Sequence, residues 1–239
     1  MPTLAFASDG RWPMADGRCP SIRPCVPEIA VSEPMPHPLP GKPAVTAVAI
    51  DAALARRWSP RALDPARPLA RAHLQALLEA ARWAPSCFGD QPWRFICWDR
   101  SRDPAGFAAA LATLSEGNRV WAQHAAVLLL AVACADFRHN GQPNRWAQYD
   151  TGAASENLCI QAAALGLAAH QMGGFDAAAV TKLAGLPERA TPMAMIAIGH
   201  PAPADVLPEA LRTRETAART RLALSGIAFE GGWAQPLGD

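Results

Sequence analysis

Apolar residues recur with helical spacing before Pro85 and predict an amphipathic helix that ends there. Side chains at i, i+3, i+4 and i+7 share one face of a helix, and proline cannot continue a helix because it lacks a backbone N–H. The four apolar positions are Leu74, Leu77, Leu78 and Ala81. A second helix is predicted over residues 45–58, because Pro60 keeps Ser59 out of the helical conformation.

Continuous apolar runs predict strands that are buried on both faces. Residues 127–134 and 193–198 form two such runs. Residues 93–98 are rich in β-forming residues, and residues 168–172 lead into a glycine pair. We therefore expect four strands, with helices between them.

Small residues occur on nearly every side of a long helix that is predicted over residues 150–167. A helix that is apolar all round is buried, so we expect this one inside the fold or at a subunit interface. A shorter helix is predicted to end near Ala184. The elements together indicate an α+β chain in which helices outnumber strands. No G-x-G-x-x-G follows the first strand, so a Rossmann nicotinamide domain is not expected.

The two ends of the chain differ from its middle. Residues 1–45 are rich in proline and have no apolar periodicity, which predicts an extended or disordered arm. An overlong translation start is the alternative, and in both cases the functional domain is expected to begin near Val45 and to occupy residues 46–239. The apolar residues of the tail need a surface to pack on, so we expect it to wrap across the domain or a partner subunit. They are Leu222, Leu224, Ile227, Phe229 and Trp233.

Composition excludes some classes of protein. The chain has 239 residues with a net charge of +1, which argues against a nucleic-acid partner because such domains carry a strong basic stripe. The longest apolar run, residues 125–135, is well short of the roughly 20 residues that span a bilayer. The six cysteines lack zinc-site spacing, and no secretion signal is visible. We expect reduced thiols, no metal site and a cytoplasmic protein.

Two polar segments carry the candidate chemistry. The first places three guanidinium groups and a hydroxyl within residues 56–61, and guanidinium suits phosphate because it is always charged and donates in a planar fork. Arg219 and Arg221 could converge on the same phosphate from the far end of the chain. The alternative is solvated surface charge, with Trp58 packed in the core. The four polar residues are Arg56, Arg57, Ser59 and Arg61.

The second polar segment, residues 84–93, lies between a predicted helix and a predicted strand, where binding sites commonly lie. Farther along, Gly173 and Gly174 follow a strand. Glycines there let a backbone approach a flat ligand without interference from a Cβ atom. An ordinary turn is the alternative for this glycine pair.

Taken in chain order, these segments resemble the FMN-dependent nitroreductase family, and they cover about residues 46–235. The resemblance implies a nitroreductase-like fold, a three-layer α/β/α sandwich with a central mixed sheet. It also implies an intertwined homodimer with two FMN sites at the interface. The matching pieces are Arg57-x-Ser59-x-Arg61, Ala84-Pro85-Ser86 with Gln91-Pro92-Trp93, Gly166-Leu167 to Gly173-Gly174-Phe175, Ala197-Ile198-Gly199-His200-Pro201, and Arg219-Thr220-Arg221.

The resemblance assigns the phosphate end of the cofactor to the arginines. Arg57 and Ser59 would hold the phosphate and ribityl end together with the neighbouring Trp58. Arg219 and Arg221 would close on the phosphate, and Arg61 would reach the N1/O2 edge of the flavin, where a positive group stabilises the anionic reduced form.

The flavin ring would be contacted by the second polar segment and the glycine pair. Pro85 and Ser86 would come from the other subunit, and Gln91 would bond the pyrimidine or ribityl side. Four residues would line the face near N5, namely Gln171, Met172, Gly173 and Gly174. No side chain is expected to be catalytic, because the chemistry would take place on the flavin.

The activity that the resemblance implies is an NAD(P)H oxidoreductase. NAD(P)H would reduce bound FMN by hydride transfer to N5, and a nitroaromatic, a quinone or a similar electron-poor molecule would then accept the electrons in ping-pong order. One alternative is a specialised reductive dehalogenase or flavin-fragmenting enzyme, for which only residues 115–121 and 137–144 could form a lid. Another is a non-catalytic FMN-binding protein. His124, His139 and His170 are expected to be packed or surface groups, with His170 the best placed for chemistry.

The sequence departs from the family pattern at one position of the second polar segment. The family commonly has asparagine where this chain has Gly89, followed by Asp90. A side-chain amide that would contact the flavin is therefore missing, unless Asp90 or water replaces it. Asp90 is expected to be a hydrogen-bonded turn residue, with a substrate contact as the alternative, and the substrate preference could be decided here.

Overall fold

The computed structural model describes residues 41–237. Seven α-helices and four β-strands follow one another there, together with three short 3-10 turns. In chain order they are α1 (Ala52–Arg56), α2 (Arg71–Arg82), β1 (Trp93–Asp99), α3 (Pro104–Ala112), α4 (Glu116–Ala122), β2 (Val127–Cys134), α5 (Ala147–Ala164), β3 (Ala168–Met172), α6 (Ala177–Ala184), β4 (Ala190–Gly199) and α7 (Glu209–Thr216).

The four strands form one sheet in the order β1-β2-β4-β3. All three strand pairs are antiparallel, and a bulge interrupts the β2–β4 register between Ala131 and Val132. The expected mixed sheet is therefore wrong for residues 41–237. The reason is that β4 returns between β2 and β3 and runs against both, so no two neighbouring strands point the same way.

The sheet is covered by helix residues on both faces. Strand β2 is fully buried, and its side chains alternate between the two faces. Leu128 and Leu130 pack with Trp121 of α4, while Leu129 packs with Leu158 of α5. Burial on both sides explains why β2 is a continuous apolar run instead of an alternating one.

Several predicted elements are confirmed. Strand β2 has the predicted bounds, β1 is one residue longer than predicted, and β3 matches residues 168–172. Helix α2 buries Leu74, Leu77 and Ala81 and ends before Pro85. Helix α5 begins and ends three residues earlier than predicted and leaves Tyr149 76% exposed, so it is not buried all round within this chain.

The predicted helix over residues 45–58 is wrong for most of its length. Only α1, five residues long, is helical, and Asp51 caps it by accepting a hydrogen bond from the Ala53 N–H. Val45, Val48 and Ile50 are 96, 65 and 45% exposed. Nothing within residues 41–237 buries their apolar side chains, and a short helix without a buried face gains little stability in water.

The tail after α7 leaves most of its apolar side chains exposed within the part of the chain that the structure describes. Leu222, Ile227 and Trp233 are 75, 61 and 88% exposed, and Phe229 stacks only on Trp233 among the ring contacts of the described residues. Packing of the tail on a partner subunit stays a prediction.

Three of the cysteines are free thiols as expected, namely Cys87, Cys97 and Cys159. Burial raises the pKa of Cys97 to about 11 and that of Cys159 to about 12. Cys134 is disulfide-bonded, which corrects the expectation of a reduced thiol at that position. Cys19 and Cys25 lie outside the described residues, as does most of the predicted arm. Within residues 41–237, no helix combines the length and the apolar character needed to cross a bilayer.

Candidate functional site

The first polar segment, residues 56–61, is called the arginine segment below. It leaves α1 in an extended conformation, because Arg57 caps the helix with φ −61° and ψ 125°. A buried carboxylate from α7 then fixes the chain. Glu215 is 5% exposed, and its Oε1 accepts hydrogen bonds from the backbone N–H groups of Arg61 and Ala62 at 2.8 and 3.1 Å. The C-terminal helix therefore positions the segment that the sequence analysis singled out.

Two arginines of this segment form ion pairs with glutamates. Arg57 Nε lies 2.9 Å from Glu156 Oε1 on α5, and its Nη1 donates to Ser59 Oγ at 3.4 Å. Burial raises the pKa of Glu156, and the nearby Arg57 opposes that shift. Arg61 Nη1 lies 3.8 Å from Glu215 Oε2.

Arg219 reaches the same place from the tail. Its Nη1 donates to the backbone carbonyls of Lys42 and Ala55 at 2.8 and 2.9 Å. Burial lowers the pKa of Arg219, and the positive charges of Arg57 and Arg221 lower it further. Arg221 donates to the carbonyl of Thr220.

Lys42 adds another cation to this group. Its Nζ donates to the carbonyl oxygens of Glu215 and Ala217 and lies 4.6 Å from the centre of the Trp58 ring. Burial lowers the pKa of Lys42, Glu215 raises it, and Arg61 and Arg219 lower it again. The structure thus brings together a basic cluster, which consists of Lys42, Arg57, Arg61, Arg219 and Arg221.

The basic cluster suits a phosphate group. Its five cations face two carboxylates, Glu156 and Glu215, and like charges held close together favour a bound anion. Trp58 Nε1 is buried and has no hydrogen-bond partner within residues 41–237. Its N–H group is therefore available to donate to a ligand beside the cluster. The donor set therefore fits the phosphate end of FMN.

His170 on β3 lies against the arginine segment. Its Nδ1 is 3.1 Å from the Pro60 carbonyl oxygen, and its ring centre is 4.6 Å from that of Trp121. Burial lowers the pKa of His170 to about 4, and the Arg61 charge contributes. The ring is therefore neutral near pH 7 and does not carry a proton to donate as an imidazolium.

The low pKa of His170 predicts a pH-dependent stability. The unfolded chain, with a pKa near 6.5, binds more protons than the folded chain between pH 6.5 and 4, so stability is lost as the pH falls through this window. We expect this loss to reach about 3 kcal/mol near pH 4. Urea unfolding at pH 7 and near pH 4 should show that His170→Gln loses less folding stability over this pH range than the wild type does. An equal loss in both proteins would contradict the assignment to His170.

The other predicted residues of β3 face opposite sides of the sheet, since successive side chains of a strand alternate. Gln171 donates to Cys159 Sγ on α5 at 3.5 Å. Met172 is 3% exposed and packs in the cluster that contains Trp121. The two side chains therefore do not line a single face.

Gly173 and Gly174 are exposed just after β3 and differ in their surroundings. The Gly174 carbonyl accepts hydrogen bonds from Ser115 N and Asn118 Nδ2 at 2.9 and 3.0 Å. A Cβ atom on Gly174 would lie 2.8 Å from Ser115 Oγ, whereas a Cβ atom on Gly173 would meet nothing within 4 Å. Gly173 thus leaves open space that a flat ligand could occupy.

The second polar segment is a strained, hydrogen-bonded loop. Ser86 Oγ accepts from Gln91 N at 3.0 Å, and Cys87 N donates to Asp150 Oδ2 of α5 at 3.0 Å. Phe88 and Gln91 have φ of 54° and 52°, in the left-handed region that non-glycine residues seldom adopt. Such strain is concentrated at functional sites. Pro85 and Gln91 are exposed.

Asp90 is a buried turn residue. It is 3% exposed, its Oδ1 accepts from Arg138 N at 2.8 Å, and its carbonyl accepts from Arg138 Nε at 2.5 Å. This arrangement favours the turn over the substrate contact. Asp90 holds the loop to residues 137–144, which form a compact turn in which Phe137 N donates to the Gln142 carbonyl and Gly141 N donates to the Phe137 carbonyl.

Gly89 has φ +62°, and a Cβ atom there would meet nothing within 4 Å. Asparagine tolerates this backbone region better than most residues. We therefore expect Gly89→Asn, which restores the family's usual residue, to change the free energy of unfolding by less than about 1 kcal/mol. Gly89→Val should cost about 1 kcal/mol more, because β-branched residues are rare there. Denaturant unfolding of both variants measures the difference, and equal costs would contradict it.

The two polar segments contact α5 at different residues, the first at Glu156 and the second at Asp150. In residues 41–237, no hydrogen bond or ion pair in the structure joins the basic cluster to residues 85–91. The lid candidates are also small, since residues 115–121 lie mostly in α4 and Trp121 is 1% exposed. A contribution of the loop to a second subunit's site, as the resemblance implies, stays a prediction.

Several polar residues of the site are not among those predicted from the sequence. Lys42, Glu156 and Glu215 belong to the basic cluster or pair with it, and Asp150 and Arg138 hold the loop. Glu215 and Arg61 are 154 positions apart. The one signal in the sequence for Glu215 is that it lies four residues before Arg219.

Comparison with known proteins decides the family. The model of the nitroreductase family matches residues 54–200, which is more than half of the chain. The chain belongs to the nitroreductase family. The matched residues include Arg57, Arg61 and the loop, while Lys42, Arg219 and Arg221 lie outside them.

The chain is similar to proteins that are known by sequence and to others whose structures are solved. An uncharacterized 15.4 kDa protein of Mycolicibacterium smegmatis is 38% identical over 131 residues, which is 55% of this chain and 86% of that protein. A provisionally named NADH dehydrogenase/NAD(P)H nitroreductase of Archaeoglobus fulgidus is 29% identical over 140 residues, 56% of this chain and 76% of that protein.

Among solved structures, an oxidoreductase containing FMN is 33% identical, with a TM-score of 0.75 over 80% of this chain and 96% of that chain. A nitroreductase in complex with FMN from Desulfovibrio desulfuricans, also provisionally named, is 26% identical, with a TM-score of 0.58 over 76% of this chain and 95% of that chain. The fold is therefore nitroreductase-like.

Proposed function

We propose that this member of the nitroreductase family is an FMN-dependent NAD(P)H oxidoreductase that reduces nitroaromatics, quinones or similar electron-poor small molecules. The observation that carries the proposal is the basic cluster, in which Arg57 and Arg61 meet Arg219 from the other end of the chain. The FMN of the two solved relatives supports the choice of cofactor.

The basic cluster would hold the phosphate end of FMN. Arg57, Arg219 and Arg221 would donate charge-assisted hydrogen bonds to the phosphate, and Ser59 would bind the ribityl chain. Arg61 is kept beside this site by Glu215 and would place its charge near the N1/O2 edge of the flavin. The free Nε1 of Trp58 offers a further donor.

The ring of the flavin would lie between two subunits of a homodimer with three-layer α/β/α protomers. Pro85, Ser86 and Gln91 would come from the partner's loop, and the end of β3 would supply the other wall. There Gly173 leaves its surface open because it has no Cβ atom. Gln171 and Gly174 would complete that wall, and Met172, whose side chain is buried in the core, would contribute only its backbone.

When bound, FMN would accept hydride from NAD(P)H and deliver two electrons to the acceptor, so the two substrates react in alternation. The protein's part is to bind and orient. His170 is partly buried and is neutral near pH 7, and we assign no side chain as a proton donor.

The experiment that tests this proposal is the visible spectrum of the purified protein under anaerobic conditions. We expect the absorption of oxidised flavin, bleaching on addition of NADH or NADPH, and recovery on addition of a quinone or a nitroaromatic. A colourless protein that binds no added FMN would contradict the proposal. A yellow protein that neither reductant bleaches would favour a non-catalytic FMN-binding protein.

A further inference from the structure

Lys42 lies at the start of the described residues, twelve positions before the segment that matches the family. It nevertheless contacts one other member of the basic cluster, the guanidinium of Arg219, and two neighbours of the cluster, the end of α7 and the ring of Trp58. From the sequence alone, the functional domain is expected to begin only after this residue, near Val45.

The side chain of Lys42 binds the end of the last helix. Its Nζ donates to the carbonyls of Glu215 and Ala217, the second at 2.6 Å. The last carbonyls of a helix lack partners within the helix and carry partial negative charge, so an ammonium group stabilises them. The same ammonium nitrogen lies 4.6 Å from the centre of the Trp58 ring, which is a cation–π contact.

The backbone of Lys42 binds Arg219 directly. Its carbonyl accepts from Arg219 Nη1 at 2.8 Å, and the Ala55 carbonyl accepts from the same nitrogen at 2.9 Å. The Ala55 carbonyl also accepts from Ala44 N at 2.8 Å. Residues 42–44, α1 and Arg219 are therefore tied together, while the Lys42 side chain fixes the chain two residues before Arg219.

We propose that Lys42 is a positioning residue for the cofactor phosphate, because it holds residues 215–217 so that Arg219 is directed into the basic cluster. This inference rests on the proposed function. Residues 42–44 would then belong to the cofactor site. Retention of FMN would depend on a segment that lies before residues 54–200, which match the family model. An Arg219 that is already held in place loses less conformational entropy on binding FMN than an arginine on a mobile tail, so the phosphate is bound more tightly.

The test is the dissociation constant of FMN, measured by quenching of flavin fluorescence in the full chain. Lys42→Met keeps the apolar stem and removes the donors, and we expect it to weaken FMN binding about tenfold. Lys42→Arg keeps the charge and should remain within about threefold of the wild type. Lys182→Met at the exposed second lysine of the chain is the matched control and should change nothing.

Riboflavin, which lacks the phosphate, separates positioning from general damage. We expect Lys42→Met to leave riboflavin binding unchanged, and we expect it to have no further effect on FMN binding in an Arg219→Ala background. Equal weakening of FMN and riboflavin, or an additive effect with Arg219→Ala, would overturn the inference. If the wild type binds FMN and Lys42→Met binds it equally well, the inference fails alone. If the wild type binds no FMN, the proposed function fails.

Discussion

Replacement of Arg219 by alanine will weaken FMN binding about tenfold to a hundredfold, because a charge-assisted hydrogen bond to phosphate contributes about 1.5 to 3 kcal/mol. Arg219 is half-buried beside Arg57, and its Nη1 is already fixed by the carbonyls of Lys42 and Ala55. Its charge is thus held in place before the ligand arrives. Fluorescence titration and the flavin content of the purified protein both measure the effect.

Arg214→Ala is the matched control for this prediction. Arg214 is an exposed arginine on α7, five residues earlier, and its loss should leave FMN binding unchanged. Arg57→Ala should behave like Arg219→Ala, since both would donate to the same phosphate. Full flavin content in both the Arg57 and the Arg219 variants would show that the phosphate assignment is wrong.

Replacement of Glu215 by alanine will lower the free energy of unfolding by about 3 kcal/mol, which corresponds to a fall of about 10 °C in Tm. The carboxylate accepts from the backbone N–H groups of Arg61 and Ala62, and Ala62 is 2% exposed. Removing the acceptor leaves donors without partners in a buried place. Thermal unfolding followed by circular dichroism measures the change.

Two further variants separate the hydrogen bonds of Glu215 from its charge. Glu215→Gln keeps an oxygen that can accept from Arg61 and Ala62, so its Tm should fall by less than half as much as that of Glu215→Ala. Glu209→Ala, at the exposed first turn of α7, should change Tm little. Equal falls for Glu209→Ala and Glu215→Ala would mean that Glu215 has no special structural role.

The strands were predictable because a strand that is buried on both faces is a continuous run of apolar residues. Every residue of β2 is buried, and the apolar run has the same bounds as the strand. Helix α2 was predictable for a related reason, since only one of its faces is buried and its apolar residues recur accordingly. The prediction for residues 45–58 failed for the opposite reason, because the two valines and the isoleucine there are not covered by any surface of the described part of the chain.

The direction of the strands was not predictable in the same way. The apolar pattern of a buried strand does not reveal which strands it pairs with. In this sheet β4 lies between β2 and β3, although it follows both in the chain. The family resemblance implied a mixed sheet, whereas every pair of neighbours in residues 41–237 is antiparallel.

The candidate site shows the same division. The sequence by itself determined the arginine segment, the polar loop and the family, because each consists of neighbouring residues whose chemistry is visible along the chain. Only the tertiary structure decided that Lys42 and Glu215 join Arg57, Arg61 and Arg219, and that Asp90 turns inward to Arg138. The physical reason is that ion pairs and buried hydrogen bonds depend on distance in space, and packing of α7 and the tail brings together residues that lie more than 150 positions apart.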